Sequence, residues 1–158
     1  MDFDSIYREF APGIFRVCMG YINDYEAARD LTQETFIAVW QHLPLFRGES
    51  KLSTWIYRIA TNNCLRAVER SARTVTAGLP PNLPLPPEER REEKLQFLYR
   101  CIAELEETDR IIISLVLEEM PQAEIAAVVG LSHANIRVRV HRIKDKLTQK
   151  FRQHGPFA

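Results

Sequence analysis

Residues 122–147 read QAEIAAVVGLSHANIRVRVHRIKDKL, and this stretch decides the fold of the C-terminal half of the chain. Gly130 follows an apolar run and can adopt the left-handed backbone that ends a helix. Ser132 then stands where a side-chain oxygen can cap the next helix. The pattern predicts a short helix over about 122–129, a tight turn, and a long helix over about 133–151.

The long predicted helix has two different faces. Its apolar residues step by four, three and four positions and form one stripe: Ile136, Val140, Ile143 and Leu147. The opposite face carries polar and basic residues: His133, Asn135, Arg137, Arg139, Arg142 and Lys144. This is the helix-turn-helix arrangement, whose second helix lies in the DNA major groove, where Arg can pair with guanine and Asn with adenine. An amphipathic hairpin with a basic face also forms without DNA, so the motif alone leaves both interpretations open.

A second informative stretch, DLTQETFIAVW, occupies residues 30–40 of a helix predicted over about 25–42. Asp30, Gln33 and Glu34 follow the spacing i, i+3, i+4 and therefore share one helix face. The apolar residues of this segment step around a different face: Phe36, Val39, Trp40 and Leu43. An acid–amide–acid patch suits docking on a basic partner, but a solvated helix face has the same composition.

A third stretch, residues 46–63, reads FRGESKLSTWIYRIATNN and interleaves aromatic, basic and amide side chains. Rings stack on bases, Arg and Lys contact phosphates, and Asn reads base edges, so this composition is typical of surfaces that hold single-stranded nucleic acid. Either Ser53 or Thr54 is predicted to cap the helix that follows the loop.

Helical periodicity also dominates the remaining segments. Alternating β-branched runs are nearly absent, so the predicted fold class is all-α. An apolar stripe over residues 3–21 is interrupted at Pro12. Further along the chain, a charged helix is predicted over about 88–105, followed by a helix that Thr108 or Asp109 caps.

A proline-rich segment divides the chain. Residues 72–87 contain five prolines and no acidic residue, which predicts an extended linker because proline removes backbone donors and fixes φ. We therefore predict two small helical domains, residues 1–71 and residues 89–152, joined by a linker at 72–88 and followed by a tail at 153–158.

The net charge is zero, but it alternates along the chain. Residues 1–35 hold 7 acidic and 3 basic side chains (net −4), and residues 36–73 hold 2 and 6 (net +4). Residues 74–124 hold 11 acidic and 5 basic side chains (net −6), and residues 125–158 hold 1 and 7 (net +6). Such blocks suit a protein with both basic and acidic partners, although solvated faces give the same counts.

The sequence lacks the patterns of an enzyme, a metal site or a membrane protein. Its three cysteines form no CxxC pair and are predicted to be small core residues in a reducing compartment: Cys18, Cys64 and Cys101. The histidines form no HExxH motif, so no catalytic residue, metal ligand or cofactor is predicted. Without a secretory signal or a run of ~18 apolar residues, the expected location is the cytoplasm, without membrane insertion.

Taken together, the motifs resemble the extracytoplasmic-function (ECF) sigma factors of bacterial RNA polymerase. DLTQETFIAVW, FRGESKLSTWIYRIATNNCLRAVER, a proline-rich linker and LEETDRIIISLVLEEMPQAEIAAVVGLSHANIRVRVHRIKDKL occur in that family's order and spacing. The resemblance implies a sigma region 2 helical bundle, a sigma region 4 helix-turn-helix, and recognition of −10 and −35 promoter elements. It implies three partners: core RNA polymerase through its largest-subunit clamp and its flap, promoter DNA, and an anti-sigma factor.

The resemblance also implies roles for individual residues. The patch that docks on the polymerase would be Asp30, Gln33 and Glu34. Residues 46–53 resemble the loop that holds a flipped −10 base. The implied −10 contacts are Arg47, Ser50, Lys51, Ser53, Tyr57, Arg58, Asn62, Asn63 and Arg66. The implied −35 contacts are Ser132, His133, Asn135, Arg137, Arg139, His141, Arg142 and Lys144. Trp55 is expected to pack in the core, whereas Val138, off the apolar face, is free to touch DNA or an inhibitor.

Other functions explain parts of the sequence. A stand-alone helix-turn-helix repressor accounts for residues 122–150 but gives the N-terminal motifs no role. A small helical enzyme would need converging catalytic groups, and an inhibitor of the family's zinc type would need a His–Cys–Cys cluster, which the sequence lacks. We expect the free protein to be a dumbbell of two units with weak promoter affinity, which docking on the polymerase separates and orients.

Overall fold

The computed structural model describes the backbone of residues 2–71 and 90–154 and forms seven α-helices and no strand there, which confirms the all-α prediction. The helices are α1 (Phe3–Ile22), α2 (Tyr25–His42), α3 (Leu52–Ser71), α4 (Arg90–Ala103), α5 (Glu107–Leu117), α6 (Gln122–Val129) and α7 (His133–His154). A 3₁₀ turn, Leu43–Leu45, follows α2. The predicted linker and the last four residues of the predicted tail lie outside the described residues. No helix in the described part is long and apolar enough to cross a membrane.

Helices α1, α2 and α3 pack into an N-terminal bundle. Between α1 and α2, Asn23 has a left-handed backbone with φ 49°, and Asp24 caps α2 by accepting the Ala27 N–H at 3.2 Å. Pro12 does not interrupt the first helix. It lies on the exposed side of α1, where water can replace the N–H donor that proline lacks.

The caps predicted for α3 and α5 are wrong. Ser53 and Thr54 lie inside the first turn of α3, and both hydroxyls donate to the Glu124 carboxylate, at 2.7 and 3.2 Å. The residues predicted to cap α5 likewise fall inside that helix, where Asp109 accepts a hydrogen bond from Arg139. In both helices, a side chain that the local pattern assigned to a cap forms a hydrogen bond with a residue distant in sequence instead.

The predicted helix-turn-helix is confirmed in α6 and α7. Gly130 has φ 76° and donates its N–H to the Ala126 carbonyl at 2.9 Å, and Leu131 donates to the same oxygen at 3.2 Å. Ser132 Oγ accepts the Asn135 N–H at 3.1 Å and caps α7. The predicted inner stripe of α7 is buried: Ile136, Val140, Ile143 and Leu147.

The C-terminal helices α4–α7 pack directly against the N-terminal bundle, so the expected dumbbell is wrong. Helix α1 lies against α4 and α5, and α3 lies against α6. Gly20 allows the close approach of α1 and α5, because a methyl group there would overlap Ser114 Oγ. Arg110 donates to the Tyr21 carbonyl at 3.0 Å across the same contact. The apolar surface that α2 leaves uncovered on α1 and α3 is buried against the C-terminal helices, and one continuous core results.

Candidate nucleic-acid interface

The outer face of α7 is open to solvent. Seven of the eight predicted −35 residues are exposed: Ser132, His133, Asn135, Arg137, His141, Arg142 and Lys144. The His141 side chain is 80% exposed and lies 3.5 Å from the Asp145 carboxylate, one helical turn away. Because the inner stripe fixes the helix on α5 and α6, these side chains are presented on a rigid support.

Arg139 is the exception among the predicted −35 residues. Its Nη1 donates to Asp109 Oδ1 at 3.0 Å and lies 3.9 Å from Glu106 Oε2, at the start of α5. Its Nε donates to Asn135 Oδ1 at 2.8 Å. With its side chain only 29% exposed, Arg139 joins α7 to α5 and orients the Asn135 amide. The helical pattern could not reveal this role, because the acidic partners lie about 30 residues earlier in sequence.

The predicted docking patch is exposed on α2, where Asp30, Gln33 and Glu34 share one face. A groove of about 580 Å³ continues from this patch. It is lined by Phe3, Tyr7, Gln33, Phe36, Ile37, Trp40 and Gln41. The patch and the groove together form one surface that is acidic at one end and apolar at the other.

The groove contains two large apolar residues whose exposure was not predicted from the sequence. Trp40 was predicted on the apolar face of α2, but it is 64% exposed, whereas Phe36 and Val39 are buried as predicted. Ile37 is 57% exposed. Helical spacing could have identified both, because Ile37 and Trp40 follow Gln33 by four and seven positions and so share its face.

The loop before α3 and the first turns of α3 enclose a pocket of about 400 Å³. It is lined by Leu45, Phe46, Arg47, Glu49, Ser50, Trp55 and Arg58, so it brings three predicted −10 residues together. Trp55 is half-buried, and its ring lies 5.0 Å from that of Phe46. Gly48 turns the loop with φ 73°, a backbone that L side chains rarely adopt. The exposed side chains of Lys51 and Asn62 lie outside the pocket lining.

Helix α6 covers part of this predicted −10 surface. Ser53 is held by the Glu124 carboxylate, and Arg58 Nη2 donates to the Ala127 carbonyl at 2.8 Å. Tyr57 is buried, and burial, with a smaller contribution from the Glu118 charge, raises the pKa of its hydroxyl to about 12. These three predicted contacts therefore face the C-terminal helices in this arrangement.

Two further predicted −10 residues have partners within the N-terminal bundle. Asn63 is buried, and its Nδ2 donates to Thr35 Oγ1 at 3.4 Å. Arg66 Nη2 donates to Asn63 Oδ1 at 2.7 Å, although the Arg66 side chain is itself exposed. Asn63 thus connects α3 to α2 and fixes the position of Arg66.

On the other side of Tyr57, an ion pair joins the N-terminal bundle to the C-terminal helices. Arg16 donates through Nε and Nη2 to both carboxylate oxygens of Glu118, each at 2.7 Å. This bidentate hydrogen bond raises the pKa of Arg16 above its ordinary value. Gly13 makes room for it, because a methyl group there would overlap Tyr57 Oη and approach Glu118. Nothing in the local pattern around Arg16 indicates a partner 102 residues away.

The cysteines are buried, as predicted. Cys18 and Cys64 lie far apart in sequence, but their sulfur atoms are 3.8 Å apart in the core of the N-terminal bundle. The hydrogen bond with Cys18, together with burial, raises the pKa of Cys64 well above its ordinary value. Within the described part of the chain, His, Cys, Asp and Glu form no cluster of three that could hold a metal ion.

Two family models match the chain. The model for sigma-70 region 2 matches residues 6–74, and the model for sigma-70 region 4 matches residues 96–147. The ECF RNA polymerase sigma-E factor of Salmonella typhimurium is 32% identical over 142 residues, which cover 77% of this chain and 72% of that protein.

Two further similarities extend over almost the whole chain. The ECF RNA polymerase sigma factor SigE of Mycolicibacterium smegmatis is 27% identical over 161 aligned residues, which cover 96% of this chain but only 62% of the relative's length. The sigma factor RpoE of Bartonella quintana, solved in complex with the anti-sigma factor NepR, superposes with a TM-score of 0.79 at 20% identity. That match covers 97% of this chain and 98% of RpoE, and it shows a shared fold.

Proposed function

This chain belongs to the ECF group of sigma-70 RNA polymerase factors, and from that premise we propose that it binds core RNA polymerase and directs promoter-specific transcription initiation. It would recognise the −10 element with its N-terminal bundle and the −35 element with its helix-turn-helix. The observation that carries the proposal is the presence, in one chain, of an exposed docking surface on α2 and an open basic face on α7.

The docking surface has the chemistry of a protein interface. Charged and amide groups at one end can pair with a basic partner, and the exposed rings and aliphatic groups of Tyr7, Ile37 and Trp40 offer an apolar anchor at the other. A partner helix with a basic end and an apolar stripe fits both parts. The largest-subunit clamp of the polymerase is the partner that we propose for this surface.

The outer face of α7 supports reading of duplex DNA. Exposed Arg and Lys side chains can contact phosphates and guanine, while the preoriented Asn135 amide is available to adenine. Beside this face, a groove of about 570 Å³ between α7 and the start of α5 is lined by Asn135, Val138 and Arg142 together with the acidic Glu106 and Asp109.

The predicted −10 surface is only partly open, and this explains why the protein would depend on the polymerase. Arg47 and Lys51 are exposed, but Tyr57 is buried, and Ser53 and the exposed Arg58 are hydrogen-bonded to α6. Docking on the polymerase would separate the two units and uncover α3. The free protein is therefore proposed to bind promoters weakly, because the C-terminal helices cover part of the −10 surface.

Regulation by an anti-sigma factor is part of the proposal. RpoE of Bartonella quintana, which shares this fold, was solved in complex with the anti-sigma factor NepR. We propose that a protein of that class holds this chain in its closed arrangement. The chain would act in the cytoplasm, where polymerase and DNA are found, as a binding factor that performs no catalysis of its own.

Transcription in vitro with purified core polymerase tests the proposed function. The wild-type chain should support initiation from promoters of its own genome. Replacing Asp30→Lys and Glu34→Lys should lower affinity for the core polymerase at least 100-fold, because two attractive pairs at the patch become repulsive (like charges across an interface cost several kcal/mol). Circular dichroism should show an unchanged helical content.

A matched charge change provides the control. Glu9→Lys with Glu107→Lys alters the net charge by the same amount at two exposed positions outside the docking surface and should leave core affinity close to wild type. Equal affinity of the docking variant and this control would refute the assigned docking surface. A gel shift on promoter duplex tests the repressor alternative, which requires sequence-specific binding by the isolated chain without polymerase.

A further inference from the structure

Val138 is an apolar side chain on the outer face of the reading helix. It is 49% exposed, whereas the apolar residues of the inner stripe are at most 8% exposed. Asn135 precedes it by three positions and Arg142 follows it by four, so all three stand on one side of α7. Ala134, one turn before Val138, is also exposed and extends the apolar strip.

Folding does not explain a valine at this position. A half-exposed side chain contributes little to burial, and a β-branched residue is a weaker helix former than the Lys, Arg or Ala that would serve equally well on a solvated face. The major groove, in contrast, displays one apolar group at its floor, the C5 methyl of thymine.

We propose that Val138 is a specificity-determining residue that contacts the C5 methyl group of a thymine in the −35 element. This inference rests on the proposed function, since it requires α7 to lie in the major groove of promoter DNA. It goes further in assigning to Val138 a preference for one base at one position.

The neighbouring Asn135 supports this assignment. Arg139 Nε donates to the Asn135 Oδ1 atom and restricts the rotation of the amide, which lies within one helical turn of Val138. Three helical residues rise about 4.5 Å, close to the ~3.4 Å that separates stacked base pairs. Asn135 and Val138 are therefore close enough on α7 to reach the same or adjacent base pairs. An A·T-containing step satisfies both, with adenine for the amide and the thymine methyl for the valine.

Deoxyuridine substitution isolates this contact, because deoxyuridine differs from thymidine only by the missing methyl group. The −35 element is first obtained by selecting promoters with randomised −35 sequences on the holoenzyme. Each thymine of the selected element is then replaced in turn. At one position, wild-type holoenzyme should lose about fourfold in affinity, the ratio that corresponds to ~0.8 kcal/mol for one buried methyl group.

The Val138→Ala holoenzyme should bind the thymine and deoxyuridine promoters equally at that position. Arg137→Ala serves as the comparison variant, because it should weaken binding to both promoters and keep the fourfold ratio. If no thymine of a clearly selected −35 element shows the effect, or if Val138→Ala keeps the ratio, this inference is wrong while the proposed function stands. A selection that yields no preferred −35 sequence would instead overturn the proposed function, and this inference with it.

Discussion

Helices α3 and α7 both carry surfaces predicted to contact DNA, but other helices cover the two surfaces to different extents. The outer face of α7 is exposed along the helix, and among the predicted −35 residues Arg139 is held by Asp109 of α5. On α3, Ser53 and Arg58 are hydrogen-bonded to α6, and Tyr57 is buried. In this arrangement the predicted surface of α7 is open, and that of α3 is partly covered.

The difference follows from what each helix is packed against. An apolar stripe on one side of α7 is enough to fix it on α5 and α6, so its polar side stays outward. Helix α3 is enclosed on two sides, by α1 and α2 within its bundle and by α6 of the other unit. A sequence pattern distinguishes apolar from polar faces, but it cannot show which polar face a second unit will cover.

The largest effect should come from the open surface. Replacing Arg137→Ala should weaken holoenzyme binding to the −35 element about 5- to 150-fold (~1–3 kcal/mol for one lost base contact) and relax the preference at one base pair. Its melting temperature should not change, because the side chain is exposed. Quantitative binding to promoters with single −35 substitutions, together with thermal denaturation, measures both quantities.

Arg139→Ala provides the contrast on the same helix. Its removal leaves the half-buried Asp109 without its partner and frees the Asn135 amide, so the melting temperature should fall, −35 affinity should weaken, and any relaxed base preference should be the adenine preference assigned to Asn135. Asp109→Ala should reproduce the loss of stability. Relaxed specificity at one base in Arg139→Ala, with normal stability, would show that Arg139 reads DNA directly.

The sequence predicted the elements of the fold well wherever periodicity and local turn chemistry determine them. The turn around Gly130, the cap at Ser132 and the buried stripe of α7 follow from residues within one or two helical turns of each other. The shared exposed face of Asp30, Gln33 and Glu34 was predicted in the same way, but Trp40 was placed wrongly because the predicted apolar stripe of α2 was too wide.

The contacts between the two units could not be predicted, because their partners are distant in sequence. Arg16 and Glu118 are separated by 102 positions, and Ser53 and Glu124 by 71. Each of these residues looks like an ordinary polar surface residue in its own helix. The close approach of α1 to α5, which Gly20 permits, and the packing of α3 against α6 bring such pairs together.

A smaller effect should come from opening the covered surface. Replacing Arg16→Glu places two carboxylates against each other and should shift the chain toward the open arrangement, with about tenfold tighter binding of a single-stranded −10 oligonucleotide in the absence of polymerase. The Glu118 carboxylate is 9% exposed and Arg16 is 55% exposed, so solvent screening moderates the repulsion. Fluorescence anisotropy gives the affinity, and small-angle X-ray scattering gives the radius of gyration.

The reversed pair tests whether this effect belongs to the ion pair. Arg16→Glu combined with Glu118→Arg restores opposite charges and should return both the radius of gyration and the oligonucleotide affinity toward wild type. Arg8→Glu, on the exposed side of α1, makes the same charge change away from the contact and should have little effect. If Arg16→Glu stays as compact as wild type, the ion pair does not hold the units together.

The smallest effect is expected from titrating Tyr57, which lies between the two units. Burial raises its pKa from an ordinary value near 10 to about 12, so the closed arrangement binds this proton more tightly than the open one. The contribution of Tyr57 to the closed arrangement is therefore complete below about pH 10 and is lost as the pH rises through about 12. Raising the pH from 9 to 11 should enlarge the radius of gyration slightly more in wild type than in Tyr57→Phe, which keeps the ring but cannot ionise. An identical response of the two proteins would mean that the hydroxyl titrates without sensing the contact, and the covered surface of α3 would then depend on its ion pairs and hydrogen bonds alone.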